Sequence, residues 1–327
     1  MMSGLLRFAK KMRAWGHVPR DLGRIVRSYR QRTKDGSVCY HNWYPCNDYE
    51  DEWFHRFIVR NVGTDHRYHF FSVFGPRIAL AMLGKNKVFV SGENVHIPNW
   101  PYEIYQDYAL DKVNLSLGYD DIQDERYIRF PYWLLYMFEP VVDREMIRER
   151  IDEINRAENT RKFDCALIAS HDQWNMRSPM YEALKDHLEI FCAGKWKHNT
   201  DDLWTIYNND KYRYLSEFKF NICAENFYTP LYVTEKLFDA FRCGTIPLYA
   251  GAGNQPEPEI VNQDAVLLWK KDQSDHSAFI QEVLRLARDE AYYDKFLRQV
   301  RLLPYTEEFV YEKFTLLKER LLRMARA

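Results

Sequence analysis

From Ser37 onward, short apolar runs alternate with amphipathic segments, and this alternation constrains the fold more than any other feature of the chain. An apolar run of strand length followed by a segment of helical period marks βα units around a parallel sheet, whose strands are covered by helices on both faces. Expected strands lie at 37–44, 66–74 and 87–92, with helices over 49–60 and 76–83 between them. The acid- and Arg-rich stretch 141–162 suits a surface helix joining two lobes better than a core segment. Strand and helix signals then resume at 162–170, 177–188, 189–194, 218–226, 236–243, 245–251 and 265–269. The C-terminal segment reads as helical, with an interruption at Pro304.

A length of 327 residues, against about 100–200 per domain, predicts two such lobes. The expected division is a basic segment at 1–35, an N-terminal lobe at 36–150, a C-terminal lobe at 151–303 and a closing helix at 304–327. Two successive doubly wound α/β lobes face a cleft and expose ligand-binding groups at the carboxyl ends of their strands.

The net charge of −1 conceals an asymmetry, because residues 1–34 hold ten Lys or Arg against a single acid, Asp21. Within that segment Leu5, Phe8, Met12 and Trp15 follow a helical stripe, with Arg7, Lys10, Lys11 and Arg13 off it. The pattern fits a helix lying on an anionic membrane surface, a basic helix packed on its own protein, or a mitochondrial transit segment. No zinc-finger spacing or basic zipper accompanies the charge, so nucleic acid is not an expected partner. Six scattered cysteines without a C-x-x-C pair read as reduced thiols of a cytoplasmic protein, and no run reaches the roughly 18 apolar residues of a membrane span.

Residues 218–251 hold the densest chemistry. They read as strand, loop, helix, strand, with Thr234 as N-cap, the helix beginning at Glu235 and Lys236, and Gly244 as the residue after its end. A helix N-terminus attracts anions, and a lysine in the first turn gains if a phosphate sits before it. Glu225 and Asn226 stand at the carboxyl end of the apolar strand, and Tyr232 offers a hydroxyl or a ring face. Pattern alone leaves open an ordinary βα loop with a capped helix and a solvated lysine.

The stretch "FNICAENFYTPLYVTEKLFDAFRCGTIPLYAG" resembles the donor-site signature of glycosyltransferase family ten, the α1,3/α1,4-fucosyltransferases, with the spacing from Asn226 through Tyr232 to Lys236 kept. Upstream, "VFVSGEN", "LGYDD", "ERYIRFPYW" and "NMRSPMYEAL" are similar to further elements of that family. The resemblance implies a GT-B pair of Rossmann-like lobes and inverting transfer of L-fucose from GDP-fucose to a glycan hydroxyl, without a metal or other cofactor. It implies Glu93 as catalytic base, which the residues alone read as a turn acid beside Gly92 and Asn94. Arg177, otherwise a first-turn surface arginine, and Lys236 are implied to hold the diphosphate, Glu235 to bond donor hydroxyls, and Asn226 and Tyr232 to complete the pocket.

A missing membrane span directs the expectation to a bacterial, cytoplasmic enzyme, peripheral on the inner membrane, acting on a surface polysaccharide or lipopolysaccharide, with α1,3 linkage. A GT-B enzyme for another nucleotide sugar and a catalytically silent GDP-sugar or membrane-binding module remain as alternatives. "GAGNQPEP" starts like a dinucleotide fingerprint, but Pro256 and Pro258 prevent the helix that motif needs. Ser170 to Asp172 holds hydrolase triad types in consecutive positions, which point apart.

Overall fold

The computed structural model describes residues 31–326. The basic amphipathic stripe of residues 5–15 therefore lies outside the described residues. Two five-stranded sheets are present, every strand pair parallel. The first sheet comprises β1 (Val38–His41), β2 (Tyr68–Phe71), β3 (Lys87–Val90), β4 (Leu115–Gly118) and β5 (Tyr127–Arg129), in sequential order. The second holds β6 (Phe163–Leu167), β7 (Ile190–Cys192), β8 (Phe218–Ile222), β9 (Ile246–Tyr249) and β10 (Leu267–Leu268), ordered β10-β9-β8-β6-β7.

The strands are shorter than their apolar runs because each run continues past the ladder into a buried loop, as at Cys223 and Ala224 beyond β8. Along β6 the two faces part. Cys165 and Leu167 join a core with Met180, Leu184, Leu248 and Val283, while Ala166 joins one with Tyr214, Leu215 and Phe218. Burial on both faces is what a helix-covered parallel sheet requires.

The strand order of the second sheet reverses between β6 and β8, which puts a topological switch point at their carboxyl ends. This is the Rossmann-like, GT-B class of lobe. The first sheet shares its parallel build and runs without a reversal among the described strands.

Two compact units result, one of residues up to Arg129 together with Thr315 onward, the other Phe130–Phe314. The sequence reading put the step at 150, but the division falls at Arg129–Phe130. Helix Arg144–Arg156, capped by Asp143, buries Ile147, Ile151 and Ile154 and belongs to the second unit. There Arg150 Nε donates to the Met137 carbonyl (2.8 Å) and Asn155 Nδ2 to the Leu302 carbonyl (3.1 Å). The final helix, Tyr305–Arg326, contributes its first turns to the second unit and the remainder to the first. Gly244 ends helix Glu235–Arg242 at φ +71°, and a Cβ there would lie 2.4 Å from the Glu158 carbonyl carbon. Only glycine satisfies both the left-handed backbone and the close approach.

Candidate functional site

Glu225 lies beyond the carboxyl end of β8 and is fully buried. Its Oε1 accepts from the Thr234 N–H (2.8 Å) and the Tyr249 hydroxyl (3.3 Å). Its Oε2 accepts from the Thr234 hydroxyl (2.8 Å) and from Lys236 Nζ (3.2 Å). Thr234 is the N-cap residue of helix Glu235–Arg242 as expected, but its hydroxyl serves Glu225 instead of accepting a helix N–H. The carboxylate thus fastens the loop 226–233 at both ends, and a Cβ on Gly251 would press to 2.8 Å from its Cγ.

Lys236 also donates to Thr234 Oγ1 at 3.0 Å, and its side chain stays 21% exposed. Burial works against its charge, yet Glu225 and Glu235 outweigh burial and raise its pKa. Glu235 is pushed up by burial but brought below the ordinary value by Lys236 and Lys211. Both first-turn residues are therefore ionised, and the lysine keeps an exposed portion at the helix N-terminus, where anions are favoured.

Arg177 is not a surface arginine. It stands at the N-cap of helix Ser178–Leu184 and is 4% exposed. Its guanidinium donates to the Ala224 carbonyl (3.0 Å), Asn226 Oδ1 (2.9 Å) and the His171 carbonyl (3.2 Å). Burial lowers its pKa, opposed by Asp172, Glu225 and Tyr232. Asp172 fixes the loop carrying it, with Oδ1 accepting from the backbone of Met176 (2.8 Å) and Arg177 (3.0 Å), and Oδ2 from the Ser178 N–H (2.7 Å) and hydroxyl (2.6 Å). Burial pushes the Asp172 carboxyl up, but these bonds hold it below its ordinary value.

Arg177 and Lys236 line one recess of about 290 Å³, counted out to open solvent, together with Lys211, Ile168 and the end of β8. Three cations thus border the switch point of the second sheet. Lys211, which sequence reasoning missed, pairs at 2.6 Å with Asp239, itself 1% exposed. The signal was available in the apolar helix "EKLFDAF", since a buried aspartate demands a cationic partner. Of the expected donor contacts, Asn226 meets Arg177 directly, Glu235 is half-buried beside the lysines, and Tyr232 is closed in at 2% exposure.

Glu93 belongs to the first unit, in the turn that follows β3, the middle strand of its sheet. It is half-buried, and its carbonyl accepts from Ser91 Oγ at 2.8 Å. The next residue, Asn94, is buried. Its Oδ1 accepts from the Tyr119 hydroxyl (3.0 Å) and the His96 N–H (2.9 Å), and the Val95 N–H donates to the Tyr119 oxygen (3.2 Å). His96 Nε2 lies 2.5 Å from Asp120 Oδ2, a bond that raises the imidazole pKa. The backbone around Glu93 is thus tied to the carboxyl end of β4.

Among the described residues, one group has the make-up of a metal site, Asp35, Glu50 and His55, with ligand atoms within 4.8 Å of one another. His55 Nε2 lies 3.1 Å from Asp35 Oδ2 and Nδ1 lies 3.0 Å from the Glu50 carbonyl, and burial is outweighed by these contacts, which raise the imidazole pKa. No helix among the described residues is long and apolar enough to cross a membrane.

Residues 157–315 match the family model described as glycosyltransferase family 10 (fucosyltransferase) C-term, and residues 41–136 match the alpha-(1,3)-fucosyltransferase FucT N-terminal domain. The chain is 28% identical to alpha-(1,3)-fucosyltransferase FucT of Helicobacter pylori over 204 residues, 54% of this chain and 39% of that protein. It is 30% identical to alpha-(1,3)-fucosyltransferase B of Drosophila melanogaster over 144 residues, 42% of this chain and 32% of that one. The matched stretches span less than half of either curated relative. A crystal structure of an alpha1,3-fucosyltransferase shares the fold at TM-score 0.60 and 20% identity, covering 87% of this chain and 89% of that one. One with GDP-fucose shares it at TM-score 0.55 and 20% identity, with the same coverage.

Proposed function

Since this chain belongs to glycosyltransferase family 10, the fucosyltransferases, we propose that it transfers L-fucose from GDP-fucose to a hydroxyl of an acceptor glycan. The observation that carries this reading is the recess bordered by Arg177, Lys211 and Lys236 at the switch point of the second sheet. A nucleoside diphosphate needs fixed positive charge there, most of all as it leaves.

In this reading Arg177 and Lys236 stabilise the diphosphate, with side-chain cations sufficing in place of a metal. Glu235 bonds donor hydroxyls, Asn226 orients the arginine, and Tyr232 walls the pocket. Glu93 takes the proton of the acceptor hydroxyl as its oxygen bonds to the anomeric carbon. The bond from that carbon to the diphosphate breaks, GDP departs with the electron pair, and the configuration inverts. The names of the relatives support an α1,3 linkage. A bacterial surface polysaccharide or lipopolysaccharide is the acceptor class we favour. The basic segment 1–34 would hold the enzyme peripherally on the anionic cytoplasmic face where such glycans are made.

The test is GDP release from GDP-fucose, GDP-mannose and UDP-sugars over an acceptor glycan array. Release confined to GDP-fucose and dependent on an acceptor is expected. Preference for a UDP-sugar, or donor binding without turnover on any glycan, would overturn the reading.

A further inference from the structure

We propose that Tyr44, Phe74, Trp100 and Tyr102 form an aromatic strip at the carboxyl edge of the first sheet that stacks against the sugar rings of the acceptor. This rests on the reading of Glu93 as the base that meets an acceptor hydroxyl. The four rings come from three connections. Tyr44 follows β1, Phe74 follows β2, and Trp100 and Tyr102 lie in the segment after β3 that also carries Glu93. Each ring stands nearly perpendicular to the next: Tyr44 to Phe74 at 6.3 Å and 87°, Phe74 to Tyr102 at 5.6 Å and 86°, Tyr102 to Trp100 at 6.2 Å and 87°.

The strip is held in place yet open. Glu52 Oε2 accepts from both the Tyr44 hydroxyl and Trp43 Nε1, each at 3.1 Å. Nonetheless Tyr44 is 38% and Phe74 37% exposed, and Trp100 and Tyr102 are half-buried. Aromatic surface left partly in water on four neighbouring rings suits contact with a ligand.

Its surroundings identify the occupant. A pyranose ring presents C–H bonds on its faces, which suit the electron-rich face of an aromatic ring, and hydroxyl donors on its rim. Glu52 stands at the Tyr44 end of the strip, and Glu103, next to Tyr102 in sequence, accepts from the Asn99 N–H through Oε2 at 2.8 Å. The charge of Glu93 adds to burial in raising the Tyr102 phenol pKa, which puts the carboxylate within electrostatic reach of the strip's end. The same acids repel an anionic lipid surface, so a neutral, hydroxyl-rich chain is the partner that fits.

The experiment uses the full chain and the variants Phe74→Ala, Phe74→Leu and Tyr102→Ala. Oligosaccharides of galactose, glucose, N-acetylglucosamine and mannose are titrated with tryptophan fluorescence as readout, and GDP-fucose affinity is measured separately. At least one oligosaccharide should bind the wild type, and each variant should weaken it by about fivefold to tenfold, with donor affinity within about twofold. Phe74→Leu keeps the apolar volume without the π face, so its loss of sugar binding separates stacking from misfolding. The proposal is overturned if no oligosaccharide binds the wild type, if Phe74→Leu binds sugar normally, or if the variants instead abolish liposome binding or self-association. Sugar binding that depends on the strip in a chain that ignores GDP-fucose would sink the transfer reading and leave the strip standing. GDP-fucose turnover indifferent to the variants would do the reverse.

Discussion

At the carboxyl edge of the second sheet, cations rest on buried carboxylates: Lys236 on Glu225, Lys211 on Asp239, and Arg177 in a loop organised by Asp172. At the carboxyl edge of the first, aromatic rings stack edge to face, and the turn bearing Glu93 is tied mainly by bonds of Asn94 and Tyr119. A departing diphosphate calls for positive charge fixed before the reaction, and fixing it takes buried counter-charges that cannot relax. An acceptor hydroxyl calls for one carboxylate and a shaped surface. In the proposed reading, one parallel fold would carry two chemistries through the loops and helix starts at the carboxyl edges of its sheets.

The sharpest way to break the contrast is at Glu93. Glu93→Gln keeps size and polarity but removes the carboxylate proposed as base, and transfer should fall by about 10²- to 10⁴-fold. Calorimetric GDP affinity should stay near that of the wild type, because the proposed donor contacts lie in the other unit. Equal losses in both measurements would mean that the division of labour is false.

Lys236→Ala should weaken GDP binding and transfer together, by about 10- to 100-fold, the worth of one charge-assisted bond to phosphate. Arg177→Ala should do the same and also lower the melting temperature, since it leaves the Ala224 and His171 carbonyls without this donor. Transfer lost at unchanged GDP affinity would move these cations from holding the donor to some later step.

The smallest effect concerns the scaffold of the charged edge. The folded pKa of Asp172 lies below its ordinary value, so its stabilisation is complete above about pH 4 and is lost as pH falls through the folded value. Asp172→Asn should cost about 1–3 kcal/mol at neutral pH, and the gap to wild type should narrow in acid. Urea midpoints from pH 7 to pH 3 check this. Parallel curves would show that the carboxylate charge is not what holds the Arg177 loop.

Local signals were legible in the sequence. The helix start at Glu235 and the glycine at 244 follow from an N-cap residue and a left-handed turn within a few positions of the helix ends. The GT-B class was legible from the βα alternation together with the family motif. Strands β4 and β5 escaped the apolar pattern because "LSLG" is broken by a serine and a glycine and "YIR" ends in a charge. Asp239 in an apolar helix signals that some cation must pair with it, but not which one, because Lys211 lies 28 residues away. The division at Arg129 also hid, because helix Arg144–Arg156 reads as a polar linker until Ile147, Ile151 and Ile154 find a core.

The final helix has a consequence for anyone who would exchange the lobes of related enzymes to alter specificity. The first unit is not a contiguous stretch of sequence: it needs Thr315 onward, where Leu317 and Leu321 are fully buried and the Leu321 carbonyl receives the Tyr68 hydroxyl at 3.1 Å. A graft of residues up to Arg129 alone would travel without the turns that seal it. The workable transplant takes two segments, one ending at Arg129 and one running from Thr315 onward.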